Sequence, residues 1–303
     1  RLQGDWSSDV CSSDLDLQQV MEGAYRPHPP GALAHLDPPP LSASIAAELI
    51  AAGLNNNLLA EELSPSLSRL ERSLCAWLAT GLGLPSGAGG VAASGGSLSN
   101  LMALVCARHH AGLGCDGQAV VVCSADAHVS LQKALLVMGL PPEALIRVPV
   151  DGQGVLCVEA LEATLAALND AGRPVIAVVA TAGTTVRGAI DPLAAVAERC
   201  RARGLWLHVD GAIGAVFGLL PQPPTALAGL GLADSITVNP QKVLGVTKTS
   251  SLLLLAQPAR LGQTFGTGLP YMEPSWGGGH GGEAGLQGSR PAEGLKQIGR
   301  AHV

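Results

Sequence analysis

Aromatic side chains are scarce in this sequence, where Phe, Tyr and Trp together make up 3 %. A core built without them has to be aliphatic, packed from Ala, Leu and Val. Charge is sparse as well: Asp, Glu, Lys and Arg make up 14 %, and the net charge of −6 is scattered rather than gathered in runs. That scatter argues against a nucleic-acid face or a surface for anionic membranes. No apolar stretch nears the roughly 20 residues needed to cross a bilayer, although mean hydropathy is +0.32. The longest, Ile176–Ala180 and Leu252–Ala256, read as buried strands. There is no CxxC pair and no regular cysteine spacing. Cys75, Cys106, Cys115, Cys123, Cys157 and Cys200 therefore read as small core residues of a cytoplasmic protein, not as a disulfide framework. No secretory signal is visible.

The two ends carry a pattern of another kind. Asp9-Val10-Cys11-Ser12-Ser13-Asp14-Leu15 can be encoded by GAC GTG TGC TCT TCC GAT CT. The reverse complement of that string translates as Ile-Gly-Arg-Ala-His-Val, which is Ile298 to Val303. Tails related in this way read as translated adapter DNA, so residues 1–15 and 297–303 are set aside. The remainder is expected to be a fragment.

Between the tails, Ser42–Leu54 and Ser64–Leu82 have helical periodicity, the second opening on Ser-Pro. Pro85–Gly90 reads as a linker. Helices are then expected at Leu98–Ala111, Val129–Met138, Val158–Leu168 and Pro192–Arg203. Strands alternate with them at Ala119–Cys123, Ile146–Val150, Val175–Thr181 and Leu205–Val209, followed by Ser235–Val238 and Ser251–Leu255. Short apolar strands separated by helices imply an α/β fold with a mostly parallel sheet covered on both faces. Ligands of such sheets sit beyond the strand ends, where Ser124, His128, Thr185, Asp210 and Asn239 fall. After Ala256 the chain is glycine-rich and poorly periodic, as a mobile active-site loop would be.

Two residues stand out chemically. Asp210 ends the strand-like Leu205-Trp206-Leu207-His208-Val209, and Lys242 follows Val238-Asn239-Pro240-Gln241. A lysine amine that forms a Schiff base with an aldehyde, and a carboxylate that keeps a pyridine nitrogen protonated, are what pyridoxal phosphate chemistry requires. A buried carboxylate needs a charge partner, and the pyridinium would be one. A His208/Asp210 metal pair is not expected, because no further His/Cys cluster stands nearby. Ser94-Gly95-Gly96-Ser97 before an apolar helix suits an anion, with glycines for close approach and free helix N–H groups.

This order of parts, with His128 in Ala125-Asp126-Ala127-His128-Val129-Ser130, resembles the group II pyridoxal-dependent amino acid decarboxylases, from about His28 to Lys296. They include the aromatic amino acid, glutamate, cysteine sulfinate and diaminobutyrate decarboxylases. The resemblance implies a fold-type I, aspartate aminotransferase-like large domain with a seven-stranded, mostly parallel sheet, whose C-terminal small domain is cut off. Residues 16–85 would then hold dimer and substrate-site helices, residues 86–270 the cofactor domain, and residues 271–296 the active-site loop and the start of the C-terminal part. It implies a cytoplasmic homodimer that converts an amino acid to its amine and CO2.

By the same resemblance, the catalytic residues are Lys242, His128, Asp210 and Tyr271. The cofactor contacts are Gly96, Ser97, His128, Thr185, Asp210, Ala212, Asn239, Gln241 and Lys242. Asp191 would be a supporting acid behind the site, and His35 and Arg290 would serve the substrate. Gln241 departs from the family's usual histidine before the lysine, and Val243 from its larger residue after it. Another reaction on the same cofactor, such as transamination, stays open, as does an inactive fragment. The paucity of aromatics favours an acidic or diamino substrate over an aromatic one.

Overall fold

Seven strands form one sheet, and their residues explain which way each faces. The computed structural model describes residues 19–24, 36–114, 117–272 and 279–298. The chain divides into Arg1–Pro39 and Pro40–Val303. Of the first unit, residues 19–24 and 36–39 are described, with residues 19–22 helical.

In the second unit the strands are β1 (Gly89–Ala93), β2 (Val120–Ser124), β3 (Leu145–Val148), β4 (Val175–Thr181), β5 (Leu207–Asp210), β6 (Ser235–Val238) and β7 (Ser251–Leu255). Their spatial order is β1-β7-β6-β5-β4-β2-β3. β6, β5, β4, β2 and β3 pair in parallel, while β7 runs antiparallel to both of its neighbours, β1 and β6. This is the expected seven-stranded, mostly parallel α/β sheet.

The helices are α1 (Ser42–Leu54), α2 (Pro65–Gly81), α3 (Gly96–His110), α4 (Ser130–Val137), α5 (Val158–Asp170), α6 (Leu193–Arg203), α7 (Ala259–Phe265) and the short α8 (Leu295–Ile298). Side chains alternate across each strand, so Val120 and Val122 enter one core while Val121 and Cys123 enter the other. The first core is closed by α2, α5 and α6 through Leu78, Leu161, Leu165, Leu193 and Val196. The second is closed by α3, α4 and α7 through Met102, Leu104, Leu131, Leu135 and Leu261. Each fully buried Leu or Val contributes about 1.5–3 kcal/mol.

Two elements depart from the sequence reading. The linker expected at Pro85–Gly90 runs into β1, which pairs with β7 from Gly89 onward. A Cβ on Gly90 would collide with the Leu253 and Leu254 backbone, so this strand needs the glycine that hides it from a propensity reading. The aperiodic stretch after Ala256 contains α7, whose Leu261 is buried. Farther on, His280 is buried and its Nδ1 accepts the Glu61 N–H at 3.0 Å.

Candidate active site

Parallel strands deliver their C-terminal ends to one edge of the sheet. Thr181 of β4 stands opposite Asp210 of β5. Because β7 runs the other way, its first residue, Ser251, lies at the same edge, opposite Ala93 of β1. The loops leaving this edge enclose a cleft of about 290 Å³. Gly96, Ser97, His128, Thr185, Asp210, Ala212, Asn239, Gln241 and Lys242 all line it. A larger, open groove of about 810 Å³ lies at the opposite end of the sheet, between α5 and α6, and gathers none of these residues.

Asp210 is 5 % exposed. Its Oδ2 accepts from Asn100 Nδ2 at 2.8 Å, and its Oδ1 from the Ala212 amide at 3.3 Å. Neither Asp210 nor Lys242 has an ion-pair partner within 4.0 Å among the described residues. Behind Asp210, His208 is fully buried between Asn100 and Ser235. Burial pulls its pKa down to about 4, against the opposing pull of nearby Asp210. Asp191 is buried as well. Its Oδ2 accepts the Thr181 amide at 2.8 Å and its Oδ1 the Leu156 amide at 3.0 Å. Burial nevertheless raises its pKa to about 6.

His128 is held at the head of α4, where its Nδ1 accepts the Ser130 N–H at 3.2 Å and lies 2.9 Å from Ser130 Oγ. The ring thus takes the place of a capping side chain at this helix start. Across the cleft, no side chain caps α3; the Leu98 and Ser99 amides turn back to the Gly95 carbonyl, which leaves the Gly96 and Ser97 N–H groups available to an anion. A Cβ on Gly96 would meet the Asn239 amide at 2.7 Å, so the glycine lets Asn239 lie against the helix start. Asn239 is oriented in turn, its Oδ1 accepting Ser251 Oγ–H at 2.7 Å. Gln241 Oε1 accepts the Ser250 N–H at 2.6 Å. Lys242 closes a turn directly after β6, its N–H donating to the Asn239 carbonyl at 3.0 Å.

Arg290 is not among the residues that line this cleft. It is 6 % exposed, and its two terminal nitrogens bind both carboxylate oxygens of Glu71, at 2.5 and 2.7 Å. This two-point pair ties the segment after residue 279 to α2. Tyr271 has its backbone in a short turn, Pro270–Met272, and its side chain lies outside the described part. His35 falls outside the described residues.

Several lining residues escaped the sequence reading. Thr181 Oγ1 is buried without a partner at the cleft wall. Asn100, on α3, contacts Asp210, Ser130 and His208 at once. A lone Asn inside an otherwise apolar helix face was the available signal for it.

Comparison with known proteins points to one family. The model of the pyridoxal-dependent decarboxylase conserved domain matches residues 17–279. The chain is 38 % identical over 231 residues to L-2,4-diaminobutyrate decarboxylase of Rhizobium meliloti (strain 1021), covering 76 % of this chain and 46 % of that protein. It is 33 % identical over 272 residues to aromatic-L-amino-acid decarboxylase of Bacillus atrophaeus, covering 88 % and 56 %. Among solved structures, it resembles the glutamate decarboxylase domain of diaminobutyrate-pyruvate transaminase and L-2,4-diaminobutyrate decarboxylase from Vibrio parahaemolyticus. The TM-score is 0.84 at 26 % identity, over 99 % of this chain and 64 % of that one. The chain spans about half the length of the curated relatives it matches.

Proposed function

The chain belongs to the pyridoxal-dependent decarboxylase family, and from that premise we propose that it carries the cofactor site of an enzyme that removes the α-carboxylate of an amino acid as CO2. The observation that carries the reading is the single cleft lined by Lys242, Asp210, His128 and the open N-terminus of α3.

The residues fit pyridoxal phosphate by a test of charge. Among the described residues, Asp210 is a buried carboxylate held only by amide donors, with no cation paired to it. Burying such a group uncompensated is costly, and a protonated pyridine nitrogen would supply the missing partner. The first turn of α3, with Gly96 and Ser97, would hold the phosphate, supported by Asn239 and Gln241. His128 and Ala212 would flank the two ring faces, Thr185 would reach the ring oxygen, and Lys242 would anchor the aldehyde. When bound, the cofactor supplies the electron sink that makes loss of CO2 feasible. Thr181 Oγ1 is buried at the cleft wall with no partner, as a group awaiting a ligand would be. Lys242 or Tyr271 would return a proton to the substrate carbon. Arg290 does not line the cleft, and its pairing with Glu71 supports a structural role for it over a direct substrate contact.

Diaminobutyrate decarboxylases among the relatives, and the scarcity of aromatic residues, support an acidic or diamino acid as substrate. A homodimer is supported by the exposed apolar residues of α1, Ile45, Leu49, Ile50 and Leu54, which a second subunit would cover. The five cysteines among the described residues are all free, which suits the cytoplasm.

The test is CO2 release from a panel of amino acids with added pyridoxal phosphate, with and without a keto acid. Release that needs no keto acid and disappears in Lys242→Ala is expected. Amino transfer without CO2 would retain the cofactor site and reject the reaction.

A further inference from the structure

Asn100 lies at the branch of a hydrogen-bond chain whose donor and acceptor directions are fixed at its two ends. At one end the Trp206 indole, which can only donate, gives its Nε1–H to Ser235 Oγ at 2.9 Å. The Ser235 hydroxyl then directs its own proton to His208 Nδ1, 2.9 Å away. His208 Nε2 lies 3.1 Å from Asn100 Oδ1, a carbonyl oxygen that can only accept, so the buried, neutral ring keeps its proton on Nε2 and leaves Nδ1 to the Ser235 hydroxyl. At the other end the Asp210 carboxylate can only accept, and it takes one Asn100 Nδ2 hydrogen at 2.8 Å. The Asp210 end therefore fixes the orientation of the Asn100 amide, and the Trp206 end is compatible with it.

The second Nδ2 hydrogen goes to Ser130 Oγ at 2.9 Å. With that oxygen accepting, the Ser130 hydroxyl is free to donate to His128 Nδ1 at 2.9 Å, where the Ser130 backbone N–H also donates. Two donors on Nδ1 leave the imidazole proton on Nε2. The chain joins α3, α4, β5 and β6, elements far apart in sequence, so it is a property of the assembled fold.

We propose that Asn100 is the positioning residue of this cleft: one amide orients Asp210 and, through Ser130, holds His128 as an Nε2–H donor, so that the two groups are set as one unit. The proposal rests on the cofactor reading given above for what the unit serves, but the chain of hydrogen bonds exists without it. Asn100→Asp keeps the shape while replacing the two donors by acceptors. It should set a carboxylate against Asp210 and turn the Ser130 hydroxyl away from His128.

The experiment combines long-range proton–nitrogen NMR of the histidine rings in the cofactor-free 303-residue chain with titration by pyridoxal phosphate. His128→Gln and His208→Gln identify the signals. In the parent, both rings should be Nε2–H tautomers, with His128 Nδ1 strongly hydrogen-bonded. Asn100→Asp and Ser130→Ala should both shift the His128 Nδ1 signal, and Ser130→Thr should restore it. Pyridoxal phosphate affinity should fall by roughly tenfold or more in Asn100→Asp, the scale of a lost charge-assisted hydrogen bond. A proton on His128 Nδ1 in the parent overturns the proposal, whether or not any variant folds. Unmoved His128 signals with unchanged affinity in Asn100→Asp overturn it as well. If the parent fails to bind pyridoxal phosphate while the tautomers are as stated, the cofactor reading fails and the positioning role of Asn100 stands.

Discussion

Asp191 accepts the backbone amide of Thr181 at 2.8 Å, and so fixes the end of β4 directly opposite Asp210. The carboxylate that performs this task is buried, and its pKa rises to about 6 from the usual 3.8. Its ionised form is therefore a cost to the folded state above pH 6, relieved as the pH falls from 6 towards 4.

His208 has the opposite slope in the same window. The folded state keeps it neutral down to about pH 4, whereas the unfolded chain takes up a proton below about 6.5, so stability is lost as the pH falls between those values. At about 1.4 kcal/mol per pKa unit, each effect amounts to a few kcal/mol, and the two offset. Asp191→Asn should accordingly lose stability more steeply from pH 6.5 to pH 4 than the parent, and His208→Gln less steeply. Denaturant titrations across this range decide it; parallel curves for all three proteins would remove both assignments.

Arg290 and Glu71 form a buried pair that fixes the segment after residue 279 against α2. Removing one partner strands a charge in the interior, so Arg290→Ala should cost about 3–5 kcal/mol. Replacing both by Met and Leu should cost much less. A single substitution that leaves the denaturation midpoint unchanged would mean that the pair is solvated in solution.

Gly96→Ala places a methyl against the Asn239 side chain. Overpacking of this kind costs about 1–3 kcal/mol, and here the displacement falls on the start of α3. Weaker pyridoxal phosphate binding is expected from it, by roughly tenfold, with a smaller loss in Ser97→Ala. Equal affinity in Gly96→Ala and the parent would move the phosphate away from α3.

Much of this site was legible because its residues follow strand ends, and strand ends were easy to read. Ser42–Leu54, Val175–Thr181, Ser235–Val238 and Ser251–Leu255 have in the structure the bounds expected from pattern alone. All are strongly apolar runs with polar or glycine-rich punctuation. β1 was missed because Gly89 and Gly90 offer no side-chain period, and only pairing with β7 makes them a strand. The Arg290 pair was hidden because its partner, Glu71, lies on a distant helix that no local pattern connects to it. The chain through Trp206, Ser235, His208, Asn100 and Ser130 was equally hidden: each residue is unremarkable where it stands in sequence, and only the packing of α3 against β5 and β6 joins them.

The central claim is that Lys242 anchors pyridoxal phosphate in this cleft. Its most direct test is to incubate the chain with pyridoxal phosphate, reduce with borohydride and map the modified peptide by mass spectrometry. The account predicts a single stoichiometric adduct on Lys242, absent from Lys242→Ala and weakened in Asp210→Ala. An adduct on another lysine, or none while the chain is folded, would contradict it.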